Sequence, residues 1–101
     1  MDCHWTAKLT PMEIEVIGKF SCSKEWLDSF TYEWEANLEA ENAPRLNEGN
    51  LTREEKEALQ SLEVNAYVWP DGPREWTLDE YGLPIYLAIL GRESSCTIET
   101  I

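Results

Sequence analysis

Glu25, Asp28, Tyr32, Glu35 and Glu39 recur three and four residues apart. On a helix of about 3.6 residues per turn they share one stripe, so four carboxylates and a phenol would climb one face in steps of about 5 Å. That step is on the scale of charge spacing along a nucleic-acid strand. The stripe lacks the interspersed Lys and Arg that normally turn such spacing into stabilising pairs, and its like charges repel by about 0.2–0.5 kcal/mol per neighbour. A row of this kind suits one chemistry above others, charge-assisted hydrogen bonding to the cations of another molecule. Glu33, Glu41, Glu54, Glu55 and Glu57 form a second rank of candidates for the same task.

Other chemistries are poorly served. A metal site would need His4 with some of Cys3, Cys22 and Cys96, which lie far apart and lack the paired spacing of structural zinc. A nucleophilic Cys or Ser needs a base, and the one histidine adjoins Cys3 in a stretch where successive side chains point to opposite faces. Paired carboxylates for glycoside chemistry can be picked at will from twenty acids, and a domain this small leaves little room for a substrate cleft. No glycine-rich phosphate loop and no calcium loop is present. The expectation is a protein that is not an enzyme and uses no cofactor and no metal. Tyr32, Trp26 and Trp69 stand among acids and could stack on a sugar or a cation, although filling a small core is the ordinary use of five tryptophans.

The stripe needs a helix to carry it. Ser23 to Glu41 supplies one, with Ser23 as N-cap, Glu25 in the first turn, and Leu27, Phe30, Trp34 and Leu38 on the core side. Asn42-Ala43-Pro44 ends it and Arg45 to Asn50 reads as a polar loop. Thr52-Arg53-Glu54-Glu55 is a capping box for a shorter helix to about Leu62, with Ala58, Leu59 and Leu62 inward. Cys3 to Leu9 alternates as a half-buried strand, with Cys3, Trp5, Ala7 and Leu9 on one side. Met12 to Val16 alternates as well, which favours a second strand paired to the first. The rival is a helix opened by Thr10, Pro11 and Glu13, with Val16, Ile17 and Phe20 on one face.

Val64 to Trp69 reads as a strand and Pro70-Asp71-Gly72-Pro73 as a turn. Arg74 to Leu78 is either a returning strand or the approach to a helical turn capped at Thr77 and stopped by Gly82 and Pro84. Ile85 to Leu90 is apolar on both faces, as a central strand would be, and Cys96 to Ile101 suits an edge strand. No internal repeat is expected. The sum is one α+β domain over residues 1–101, a four- to five-stranded mostly antiparallel sheet with one long and one short helix packed on one face.

Composition agrees with a folded domain, since 43% hydrophobic residues and five Trp in 101 can offset the entropy of ordering. Twenty acids against eight bases give a charge of −12, and eleven acids with three bases between Glu25 and Glu63 place −8 of it there. Nucleic acid and anionic membrane are poor direct partners for such a surface. The basic surface of a nucleic-acid-binding protein suits better. An odd count of three cysteines and a start without a secretory pattern lead to a reduced, cytoplasmic expectation. The longest apolar run, Ile85 to Leu90, is far short of the roughly 20 residues that span a bilayer. Oligomeric state is left open.

If the helix alternative holds near the start, Leu-Thr-Pro-Met-Glu-Ile-Glu-Val-Ile resembles the opening of a helix-turn-helix regulator of the response-regulator type. The acidic stretch would then stand where the recognition helix belongs and would repel phosphates, which sets that resemblance aside. In size, charge and charge layout the chain instead resembles small acidic phage-encoded inhibitors that mimic nucleic acid, the anti-CRISPR and anti-restriction proteins. The resemblance implies a stoichiometric inhibitor, acting in the bacterial host cell, that fills the Lys/Arg-rich DNA-binding groove of a CRISPR effector or restriction nuclease. Glu25, Asp28, Glu35 and Glu39 would substitute for phosphates, with Tyr32 as an amphipathic anchor. The alternative is an acidic protein-interaction adaptor or antitoxin-like module without mimicry, and a third reading is a carbohydrate or cationic-ligand binder using the tryptophans.

Overall fold

In the computed structural model, which describes residues 5–28, 43–92 and 94–101, the chain runs through five strands and four helices in its described parts. They are β1 (Trp5–Leu9), α1 (Pro11–Gly18), α2 (Lys24–Asp28), β2 (Arg45–Asn47), a 3-10 turn (Glu48–Asn50), α3 (Arg53–Val64), β3 (Val68–Pro70), β4 (Glu75–Leu78), α4 (Gly82–Ile89) and β5 (Cys96–Thr100).

Thr10 and Thr52 start their helices in the same way. Thr10 Oγ1 accepts from Glu13 N at 3.2 Å while Glu13 Oε1 accepts from Thr10 N at 2.9 Å, and Thr52 with Glu55 repeats the exchange at 3.2 and 2.9 Å. Each box satisfies N–H groups that have no intrahelical partner at a helix start. This corrects the expected strand at Met12 to Val16. With Pro11 in the first turn and the box closed, a helix puts Glu13, Val16, Ile17 and Phe20 on one buried face, which a strand would split between two. The other capping box opens α3 as expected, with Ala58, Leu59 and Leu62 buried.

The two helices are also a repeat, against expectation. Leu9-Thr10-x-x-Glu13-x-Glu15-Val16-Ile17-x-x-Phe20 has its counterpart in Leu51-Thr52-x-x-Glu55-x-Glu57-Ala58-Leu59-x-x-Leu62. Leu9, Glu13, Val16, Ile17 and Phe20 are buried in one, and Leu51, Glu55, Ala58, Leu59 and Leu62 in the other. The helices pack antiparallel, because each box glutamate reaches the far half of its partner. Lys19, at the end of α1, donates to Glu55 Oε2, and Ser61, late in α3, donates to Glu13 Oε2 at 3.4 Å. Lys19 and Ser61 occupy equivalent places in the repeat, so the pair has an approximate two-fold relation.

The α+β class holds, but the single large sheet does not. β1 and β5 form a parallel pair in register from Trp5 opposite Cys96 to Leu9 opposite Thr100. A separate antiparallel sheet has the order β2-β4-β3. The cause is Ile85 to Leu90, which forms the body and C-cap of helix α4 instead of supplying a central strand. Leu83, Ile85, Tyr86 and Leu87 are all buried, and an all-round apolar run fits a helix enclosed on most sides as well as it fits a central strand. Without that strand, the others pair in two groups.

Smaller differences follow from local bonding. Arg45 to Asn47, expected as loop, is β2, with Leu46 buried opposite Trp76. Val64 ends α3, so β3 begins only at Val68. Arg74 to Leu78 resolves as strand β4 from Glu75, and Asp79 then turns the chain, its carbonyl accepting from Gly82 N at 2.9 Å and Leu83 N at 3.1 Å. β1 and β5 are strands as expected, with Ala7 and Leu9 inward.

α2 begins where the N-cap predicts, Ser23 Oγ accepting from Trp26 N at 3.1 Å. Trp26, expected among exposed aromatics, is 3% exposed and belongs to the core. Leu27 packs partly against that core. The rest of the long helix expected to Glu41, including Phe30, Trp34 and Leu38, lies outside the described residues. Across the core, Tyr86 Oη donates to the Phe20 carbonyl at 2.9 Å, and burial pushes its phenol pKa well above the usual range.

Candidate functional site

α2 presents the first two candidate anions. Glu25 and Asp28 are exposed, while the buried Trp26 between them fixes the helix to the core. Arg92, just beyond α4, reaches across to the end of this helix, donating to the Leu27 carbonyl at 3.2 Å and to Asp28 Oδ1 at 3.4 Å. Tyr32, Glu33, Glu35, Glu39 and Glu41 lie outside the described residues.

α3 divides its glutamates by depth. Glu54 and Glu57 are exposed, and Glu57 sits 3.5 Å from Arg53 one turn earlier. Glu55 is 5% exposed and internally engaged. Its carboxylate accepts from Lys19 and from the Thr52 backbone, and these bonds, that of Lys19 foremost, hold its pKa below the usual glutamate value. It is a structural anion, set apart from the surface acids with which its spacing groups it.

All eight lysines and arginines lie in the described residues, and four are tied to the chain's own acids: Lys19 to Glu55, Arg45 to Asp71, Arg53 to Glu57 and Arg92 to Asp28. Among the described residues, Glu15, Glu54, Glu63, Glu75, Glu80 and Glu99 are exposed and no lysine or arginine meets them. The pairs at Asp28 and Glu57 have both partners well exposed, a setting in which an ion pair is worth about 0–1 kcal/mol. Such a pair yields readily to a better-placed external cation. No protein family, curated protein or solved structure matches the chain. Among the described residues no group of three His, Cys, Asp or Glu is placed to hold a metal ion, and no helix is long and apolar enough to cross a membrane.

Reasoning from spacing missed a surface group of aromatic rings. Trp5, Tyr67 and Tyr81 meet from three distant segments, so no local period reveals them. Burial foremost, with smaller contributions from Cys96 and Glu13, raises the Tyr67 phenol pKa above its usual value. Trp69, expected among exposed aromatics, is 61% exposed.

Proposed function

We propose that this protein is a non-catalytic, stoichiometric inhibitor whose acidic surface takes the place of nucleic acid in the Lys/Arg-rich groove of a CRISPR effector or restriction nuclease. The observation that carries this reading is the charge balance: a net charge of −12, with four of the eight bases engaged by acids and, among the described residues, six exposed acids met by no base. A groove built to neutralise phosphates holds many uncompensated cations when empty, and a preorganised anionic surface gains both on-rate and charge-assisted hydrogen bonds there. Glu25, Asp28, Glu54 and Glu57 are the described contributors, and Tyr32, Glu33, Glu35, Glu39 and Glu41 extend the set along the sequence. Glu55 is left to the fold.

The adaptor reading draws support from a different observation, that Asp28 and Glu57 each have an internal arginine. Cleavage assays separate the two. Titrating the protein into CRISPR effectors and restriction nucleases should abolish DNA cleavage at a one-to-one ratio, less effectively as salt rises, and Glu25→Lys with Glu54→Lys should restore cleavage. An inhibitor whose potency ignores both salt and these substitutions is not a mimic of nucleic acid.

A further inference from the structure

Trp5 stacks on Tyr67 with ring centroids 6.5 Å apart and planes at 23°, and Tyr81 meets Trp5 edge-on at 6.0 Å and 86°. The frame beneath these rings is firm. α3 ends with Ala66 in the left-handed region at φ 61°, Ala66 N donating to the Glu63 carbonyl at 2.9 Å and Tyr67 N to that of Leu62 at 3.0 Å, the pattern of a Schellman cap. The Tyr67 carbonyl then accepts from Asp79 N at 3.0 Å, and Gly82 lies so close that a Cβ there would stand 1.8 Å from the same oxygen. Trp69 follows two residues on, past the fully buried Val68, so alternation along the extended chain sets it on the side of Tyr67.

Two of these four rings are more exposed than packing asks: Trp69 is 61% and Tyr81 54% exposed. Asp79 and Glu80 immediately precede Tyr81; Asp79 Oδ1 accepts from Glu80 N at 2.7 Å, and Glu80 is met by no lysine or arginine of the described residues. Two cations of the neighbouring strands are engaged or turned away. Arg45, in the cross-strand row with Thr77 and Trp69, is paired with Asp71, and Lys8 lies on the opposite side of β1 from Trp5.

The geometry points to this aromatic surface as a binding site for arginine side chains of a partner protein. A guanidinium is planar and weakly hydrated, so it can lie flat on an exposed tyrosine or tryptophan ring while bonding an adjacent carboxylate, which a compact ammonium does less well. This rests on the reading that the partner is basic, and adds to it which cation is preferred and where it docks.

Nona-arginine and nona-lysine peptides, titrated calorimetrically into the protein at 150 mM NaCl, test it. The parent should bind the arginine peptide about tenfold more tightly than the lysine peptide, and Trp69→Ala with Tyr81→Ala should reduce that ratio to about twofold or less, with lysine affinity nearly unchanged. Tyr81→Phe keeps the ring and should keep the preference. Far-UV circular dichroism should be the same for all variants, since both positions are exposed. A parent without arginine preference, or a double variant that retains it, overturns the site. Glu54→Lys with Glu57→Lys should weaken both peptides alike; if neither weakens, the basic-partner reading fails while the arginine-to-lysine ratio still decides the aromatic site.

Discussion

A carboxylate 5% exposed cannot meet another molecule, and what Glu55 does is hold the start of α3 to the end of α1 through Lys19. Its folded pKa is lowered from the usual 4.5 by Lys19 and Thr52. A depressed folded value means that the anion's contribution is fully present above the unfolded pKa and is lost as pH falls through the folded one. Urea unfolding between pH 7 and pH 3 should therefore show stability falling below about pH 4.5 in the parent. In Glu55→Gln that part of the slope should be absent and stability at pH 7 lower; equal slopes in the two proteins would mean that Lys19 does not engage Glu55. Gly82 is a second position where one residue decides the local structure. A Cβ there would stand 1.8 Å from the Tyr67 carbonyl oxygen, and this is backbone that cannot step aside. Gly82→Ala should cost about 3 kcal/mol, at the upper end for an overpacked site, read from the denaturation midpoint.

The two capping-box helices differ in one useful respect. Beyond the bond within its own box, Glu55 has Lys19 facing it, whereas Glu13, also buried, has the Ser61 hydroxyl at 3.4 Å. Because Lys19 and Ser61 are equivalent in the repeat, Ser61→Lys should give Glu13 the same cation and raise stability by about 0.5–1 kcal/mol, measured by urea unfolding at pH 7. The gain should vanish on adding Glu13→Gln; a gain that survives would belong to the helix C-terminus and its dipole instead. The Thr52 box was legible, since Thr-x-x-Glu is a local signal with a local mechanism, and Ser23 marked the start of α2 for the same reason; the same signal at Thr10 was outweighed by the alternation that follows it. Two other features were not. Met12 to Val16 satisfies a period of two as well as a helical face, and only the fit of Val16, Ile17 and Phe20 into one core separates the two. Ile85 to Leu90 is apolar all round, which carries no period, and the division into two sheets is not visible locally because strand pairing is a long-range property. At the candidate site the exposed acids of α2 and α3 could be read from spacing, but the burial of Glu55, the reach of Arg92 to Asp28 and the meeting of Trp5 with Tyr67 and Tyr81 depend on how distant segments pack.

At the scale of the whole molecule, −12 on 101 residues sets self-repulsion against internal ion pairs, four of them among the described residues. Salt screens both, and the balance has a sign. Three of the four pairs have substantial exposure on both partners and contribute little each, whereas the repulsion sums over many like charges lying within a Debye length of about 10–30 Å at 0.1–0.01 M salt. Repulsion should therefore dominate, and raising NaCl from about 10 to 500 mM should stabilise the fold by about 1 kcal/mol, equivalent to a rise of about 4–8 °C in Tm for a domain of this length. Binding to a basic groove should respond in the opposite direction, since screening removes the attraction that the same charges exert on the partner. The two slopes measured on one preparation are thus more informative than either alone. Thermal stability rising while affinity falls across the same salt range is the behaviour of an anionic surface maintained against its own repulsion for a cationic partner. A Tm that falls with salt would show that the internal pairs outweigh the repulsion, and the charge excess would then impose no strain for a partner to relieve.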